Sequence, residues 1–99
     1  MEIIFLPPSD KELEEAVCFY EDQLIGLGKQ FYAEVTEALE FIVQYPDAWY
    51  KIGPHTRRFI LKRFPYLVLY IFEKDKIIIT AIAHQHRYPK NYLNRIPQK

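Results

Sequence analysis

The chain is short of cysteine, of glycine and of long hydrophobic runs, and each shortage narrows what it can be. Cys18 is the only cysteine, so no internal disulfide can form. No uninterrupted apolar stretch approaches the ~18 residues of a membrane-spanning helix. The one early apolar run, "IIFL", is followed at once by two prolines and does not resemble a secretory leader, so the expectation is a cytoplasmic protein. Low-complexity segments, linkers and internal repeats are all missing. Ninety-nine residues, 49% of them apolar and 16% aromatic, suffice for one domain over 1–99 that buries a core without disulfides or metal.

Net charge is also missing, but the zero conceals a split. Residues 1–50 carry two basic side chains (Lys11 and Lys29) and eleven acidic ones, 2 − 11 = −9. Residues 51–99 carry eleven basic and two acidic ones (Glu73 and Asp75), 11 − 2 = +9. Two readings follow. A basic surface aimed at an acidic partner or nucleic acid is one. Acidic helices that neutralise a basic sheet within one fold are the other.

Hydrophobic spacing supplies the architecture. "EIIFL" (2–6), closed by Pro7-Pro8, reads as a short strand. Ser9 and Glu12 have the spacing of a capping box, which would satisfy free N–H groups at a helix start. Leu13, Ala16, Val17, Tyr20 and Leu24 then recur at helical spacing, and Cys18 and Phe19 fall outside that stripe. Gly26 and Gly28 punctuate the end. Phe31, Val35, Ala38, Leu39 and Ile42 form the stripe of a second helix, stopped by Pro46 and followed by Trp49, a candidate core lid. So short a connection predicts an antiparallel helix hairpin over roughly 9–45.

Three β-like stretches follow, "TRRFILKRF" (56–64), "YLVLYIFE" (66–73) and "KIIITAIAH" (76–84), with Lys74-Asp75 as a tight turn. The order β-α-α-β-β-β predicts an α+β domain, the N-terminal hairpin packed on an antiparallel sheet that the first strand joins. On a strand, Arg57 and Arg63 would share one face and Arg58 and Lys62 the other. Two of these would pair with helix carboxylates or stay solvated. The rest, with Arg87, Lys90 and Arg95, would make a basic surface.

"AHQHRYPKNY" (83–92) is the densest polar segment. His84 and His86 alternate and, with His55, make three imidazoles, but no Cys/His ligand spacing accompanies them and carboxylates are scarce nearby, so no metal is expected. His86 is a candidate titratable group near neutrality. Tyr88 and Tyr92 could stack on bases or cover the sheet edge.

Taken in order, "GLGKQFYAEVTEALEFIVQYPDAW", "RRFILKRFPYLVLYIF" and "IIITAIAHQHRYPKNYLNR" resemble the RelE/ParE superfamily of toxins from type II toxin–antitoxin modules, with the ParE and plasmid-stabilisation side favoured. The shared features are Tyr-Pro-x-x-Trp after the second helix, an Arg-rich strand, "FPY" before an apolar strand and a closing His-x-x-Arg-x-Pro. The resemblance implies the same β-α-α-β-β-β fold, a cognate antitoxin as partner, and operator DNA met only through that antitoxin. ParE-like members inhibit DNA gyrase; RelE-like members are endoribonucleases that cut messenger RNA on the ribosome. A third possibility is an inactive member that retains only antitoxin binding. "YLVLYIF" lacks the arginine that RelE-like members carry there. For a nuclease the catalytic candidates are His86, Arg87 and Tyr88. For target or partner binding they are Arg58, Lys62, Arg63, Arg87, Lys90, Tyr92 and Arg95. No cofactor is expected.

Overall fold

The computed structural model describes residues 1–87 and 90–97, apart from the side chains of Arg87, Lys90 and Asn91. Strand β1 (Glu2–Phe5) leads into helices α1 (Ser9–Gln23) and α2 (Leu27–Gln44), then β2 (Arg57–Ile60), β3 (Tyr66–Glu73) and β4 (Lys76–His84). Two 3-10 turns, Gln85–Arg87 and Lys90–Asn94, follow. The sheet order is β1-β4-β3-β2. Strands β2, β3 and β4 form the antiparallel meander, and β1 joins β4 in parallel, so the sheet is mixed. The expected α+β hairpin-on-sheet architecture is present.

The helices cover one face of the sheet. Phe31, Val35, Ala38 and Ile42 of α2 and Ala16 of α1 pack against Val68, Tyr70, Ile77, Ile79 and Ile82. Leu67, Leu69, Ala81 and Ala83 point to the opposite face, where Ile52 and Tyr92 cover them. Alternation along β4 changes phase at an irregularity: Leu69 pairs with Ala81, but Tyr70 pairs with Ile79. Thr80 is the extra residue, and the skip lets Ile77, Ile79 and Ile82 share the helical face. At the other end of the hairpin, Lys74 and Asp75 both have positive φ (52° and 61°), the two-residue turn that the twist of the flanking strands favours.

Three expectations require correction. Ser9 and Glu12 do not form a capping box, and α1 has no side-chain cap. The Ser9 hydroxyl lies 2.6 Å from the Leu6 carbonyl and 3.0 Å from the Ile79 carbonyl, and Glu12 reaches the Ile82 N–H at 3.1 Å. Buried sheet edges offer these side chains better partners than a solvated helix end does. The strand expected over 56–64 stops at Ile60, because Glu34 of α2 draws the next backbone amides away. Its carboxylate accepts from the N–H of Lys62, from the N–H of Arg63 at 3.1 Å and from Arg63 Nε at 3.2 Å. Leu24, placed in the first helical stripe by spacing, instead lies in the exposed hairpin turn.

That turn is built by Glu21 and two glycines. Gly26 adopts φ 91° and opens α2 without a side-chain cap. The Glu21 carboxylate replaces the cap, accepting from Gly26 N–H at 2.9 Å and Gly28 N–H at 3.0 Å. Gly28 is the closest approach of the helices, for a Cβ there would lie 2.5 Å from the Val17 carbonyl oxygen.

Two stability measurements check these constraints. Glu34→Ala strands two amides and should lower unfolding free energy by about 2–3 kcal/mol, with Glu34→Gln losing less because one acceptor remains. Urea titration reads both; a loss for Glu34→Ala under about 0.5 kcal/mol would show that water replaces the carboxylate freely. Gly28→Ala should destabilise by about 1–3 kcal/mol through overpacking, despite alanine's better helix propensity. A stabilised Gly28→Ala protein would mean that the helices separate at little cost.

Candidate functional site

The basic residues of the Arg-rich stretch divide into structural and available ones. Arg57 Nη1 donates to the carbonyls of Asp47 (3.0 Å) and Trp49 (2.9 Å), and Nη2 pairs with the Asp47 carboxylate at 3.5 Å. This fixes the 46–50 loop, which Tyr70 holds as well by donating its hydroxyl to the Pro46 carbonyl at 2.7 Å. Burial raises the Tyr70 pKa far above the ordinary tyrosine value, Asp47 adds to the rise and Arg57 opposes it, so the phenol remains a donor. Arg63 is bound to Glu34.

Arg58 and Lys62 are different. Their side chains line one groove of about 480 Å³ with Phe41, Trp49, Tyr50, Phe59 and Ile60. The Arg58 guanidinium lies 4.8 Å from the centre of the Tyr50 ring. Phe41 stacks on Phe59 with centroids 6.2 Å apart, and Trp49 meets Phe59 edge-on at 4.6 Å. Tyr50, Ile60 and Phe41 are all exposed. The Trp49 indole N–H is buried and has no acceptor among the described residues.

The groove runs beside the open part of an edge strand. Arg58 N–H donates outward to the Tyr50 carbonyl, and Ile52 N–H donates to the Thr56 carbonyl, so residues 50–52 cover the start of β2. Alternation then turns the backbone of Ile60 outward as well, past the end of that cover. Phe41, Tyr50 and Ile60 were not singled out from sequence. Phe41 lies off the helical stripe beside Ile42 and Ile60 lies between Arg58 and Lys62, and those offsets were the available signals.

Of the C-terminal candidates, Arg95 and Tyr92 are anchored rather than free. Arg95 Nη1 lies 2.9 Å from each Glu12 carboxylate oxygen and donates to the Thr80 carbonyl at 3.1 Å. Its guanidinium stands 4.4 Å over the Tyr92 ring, which packs on the sheet. His84 ends β4 and accepts at Nδ1 from the His86 N–H at 3.2 Å, and their rings are 5.2 Å apart. The described residues contain no group of three or more His, Cys, Asp or Glu able to hold a metal, so His55 does not complete a site with them. Arg87 and Lys90 lie in the two 3-10 turns, but their side chains, and Tyr88 as a whole, are outside the described residues.

The Glu12–Arg95 link gives a measurable expectation. Arg95→Ala should lower stability by about 1–2 kcal/mol, because it removes a partly buried ion pair and a carbonyl partner together. Thermal or urea unfolding reads the loss, and no change would assign the pair to the solvated surface.

Comparison with known proteins agrees with the fold. Residues 3–89 match the family model for the ParE toxin of type II toxin–antitoxin systems, parDE. No curated relative matches in sequence. In fold, the chain is similar to a solved structure of the chromosomal ParDE TA system from P. aeruginosa. The TM-score is 0.63 at 14% identity, over 85% of this chain and 95% of that one. With a family match spanning nearly all of its length and the corresponding fold, this chain belongs to the ParE toxin family of type II toxin–antitoxin systems.

Proposed function

We propose that this toxin acts by binding and inhibiting DNA gyrase, and that a cognate antitoxin neutralises it. The observation that carries the first part is the dispersal of its cations. Cleavage of RNA needs a base, an acid and cations converging on one phosphorus. Arg57, Arg63 and Arg95 instead each hold a carboxylate of the fold. Residues Leu67, Val68, Leu69, Tyr70 and Ile71 of the middle strand are buried and offer no cation. A toxin that works by occupying its target needs only a surface.

For the antitoxin, the groove at β2 supplies the chemistry. Exposed apolar side chains, an outward-facing backbone at Ile60 and the charges of Arg58 and Lys62 suit a segment carrying apolar and carboxylate side chains. Replacing Arg58 and Lys62 together by Glu should weaken the purified toxin–antitoxin complex, and the loss should shrink at high salt, where exposed charges are screened. Unchanged affinity at low salt would move the antitoxin elsewhere.

Target and chemistry are separated by a parallel assay of supercoiling by purified gyrase and messenger cleavage on programmed ribosomes. Wild type should inhibit supercoiling and cut no RNA, and Arg87→Ala should reduce the inhibition. Ribosome-dependent cuts lost by about 100-fold or more in Arg87→Ala and His86→Ala, with supercoiling untouched, would establish a nuclease instead.

A further inference from the structure

A second concavity lies across the molecule from the β2 groove, between α1, the end of β4 and the C-terminal turn. It encloses about 400 Å³ and is lined by carboxylates (Glu12, Glu15), aromatic rings (Phe19, Tyr20, Tyr66, Tyr92) and His84. Its aromatic wall is ordered by ring contacts: Phe19 meets Tyr20 edge-on at 5.3 Å, Tyr20 meets Tyr66 at 6.0 Å, and Tyr66 meets His84 at 5.3 Å. Phe19 nevertheless leaves 55% of its surface in water, and no core requirement explains a phenylalanine there. Glu15 is exposed on the same face of α1 as Glu12, one turn on, and has no hydrogen-bond or ion-pair partner among the described residues.

The recess already displays its chemistry with one of the protein's own side chains. Arg95 touches two of the lining residues, its Nη1 meeting both oxygens of the Glu12 carboxylate and its guanidinium carbon standing 4.4 Å from the centre of the Tyr92 ring. Aromatic faces with carboxylates beside them attract cations, and a planar guanidinium uses both at once, stacking on a ring while its N–H groups meet oxygen. Glu15 and Phe19 repeat that pairing of acid and ring with no cation of the described chain upon them. The volume suits a single long side chain rather than a helix or strand.

We infer that this recess is a docking pocket for an arginine side chain presented by a partner polypeptide, held between Phe19 and the neighbouring tyrosines with its charge on Glu15. It is separate from the β2 groove and does not depend on the target being gyrase.

The test uses the full chain, labelled with ¹⁵N, titrated with Nα-acetyl-arginine N-methylamide. The citrulline derivative, of the same shape without charge, is the control, and the lysine derivative tests the value of planarity. Saturable shifts should appear in residues 12–20 and at 66 and 82–84. Citrulline should bind about tenfold or more weakly, with lysine intermediate. Glu15→Gln and Phe19→Ala, both at exposed positions, should each weaken arginine binding several-fold while leaving the rest of the spectrum in place. Equal shifts from arginine and citrulline, shifts scattered over Glu37, Glu40 and other carboxylates, or variants that bind as wild type would each overturn the assignment.

Discussion

The fold turns on an edge that β1 covers only in part. β1 pairs with β4 from Lys76 to Ile79 and then ends, while β4 continues to His84. Past that point the outer backbone groups of a buried strand have no strand beside them. Unpaired, each would cost on the order of 1–3 kcal/mol. Side chains remote in sequence take their place, Glu12 at the Ile82 amide and Arg95 at the Thr80 carbonyl, and Ser9 adds a second donor to the Ile79 carbonyl that the Leu6 N–H already meets. The bulge at Thr80 falls in this stretch, so the strand changes phase where its edge is held by side chains instead of a ladder. The start of α1, the end of β1 and the C-terminal turn are thereby tied to one point.

The same contacts account for part of the charge split. Every ion pair among the described residues joins an acid of the first half to a base of the second: Glu12 with Arg95, Glu34 with Arg63 and Asp47 with Arg57. Three of the eleven acids of the first half and three of the eleven bases of the second are thus matched internally, each acid holding a basic loop or turn against its own element. Pairs this exposed contribute modestly through charge. Their larger effect is positional, since Glu34 also holds two backbone amides and Arg57 two carbonyls. Among the charges outside these pairs, three line concavities: Arg58 and Lys62 at one, Glu15 at the other.

Sequence was most legible where one residue period dominates. The stripe from Phe31 to Ile42 specified a helix buried on one side, the apolar runs 66–73 and 76–84 became β3 and β4 with those boundaries, and Lys74-Asp75 formed its turn. It was least legible where a local pattern competed with a distant one. Ser9 and Glu12 had the spacing of a cap, but β4 lacked partners and the buried backbone took both side chains. The run 56–64 had strand composition throughout, yet a carboxylate on α2 pulled the amides of Lys62 and Arg63 out of the strand. Such contacts span 28 to 83 residues, and no local window contains them. The site divided in the same way. That the Arg-rich stretch held both structural and available cations was foreseeable; which pair was available depended on Glu34 and Asp47.

The buried middle strand also constrains what the C-terminal segment can do. Leu67 and Leu69 on the face away from the helices are covered by Ile52 and Tyr92, so that face is packed rather than left open as a platform. A tail laid over the sheet in this way is part of the fold's closure. Tyr92 lies under Arg95, Arg95 grips Glu12, and Glu12 holds Ile82. A partner that pulled on the tail would have to release the edge of β4 as well. An antitoxin is therefore accommodated more easily on surfaces that carry no such duty. The groove beside β2 meets that condition, because its exposed rings and two cations can be covered without breaking any ion pair of the fold.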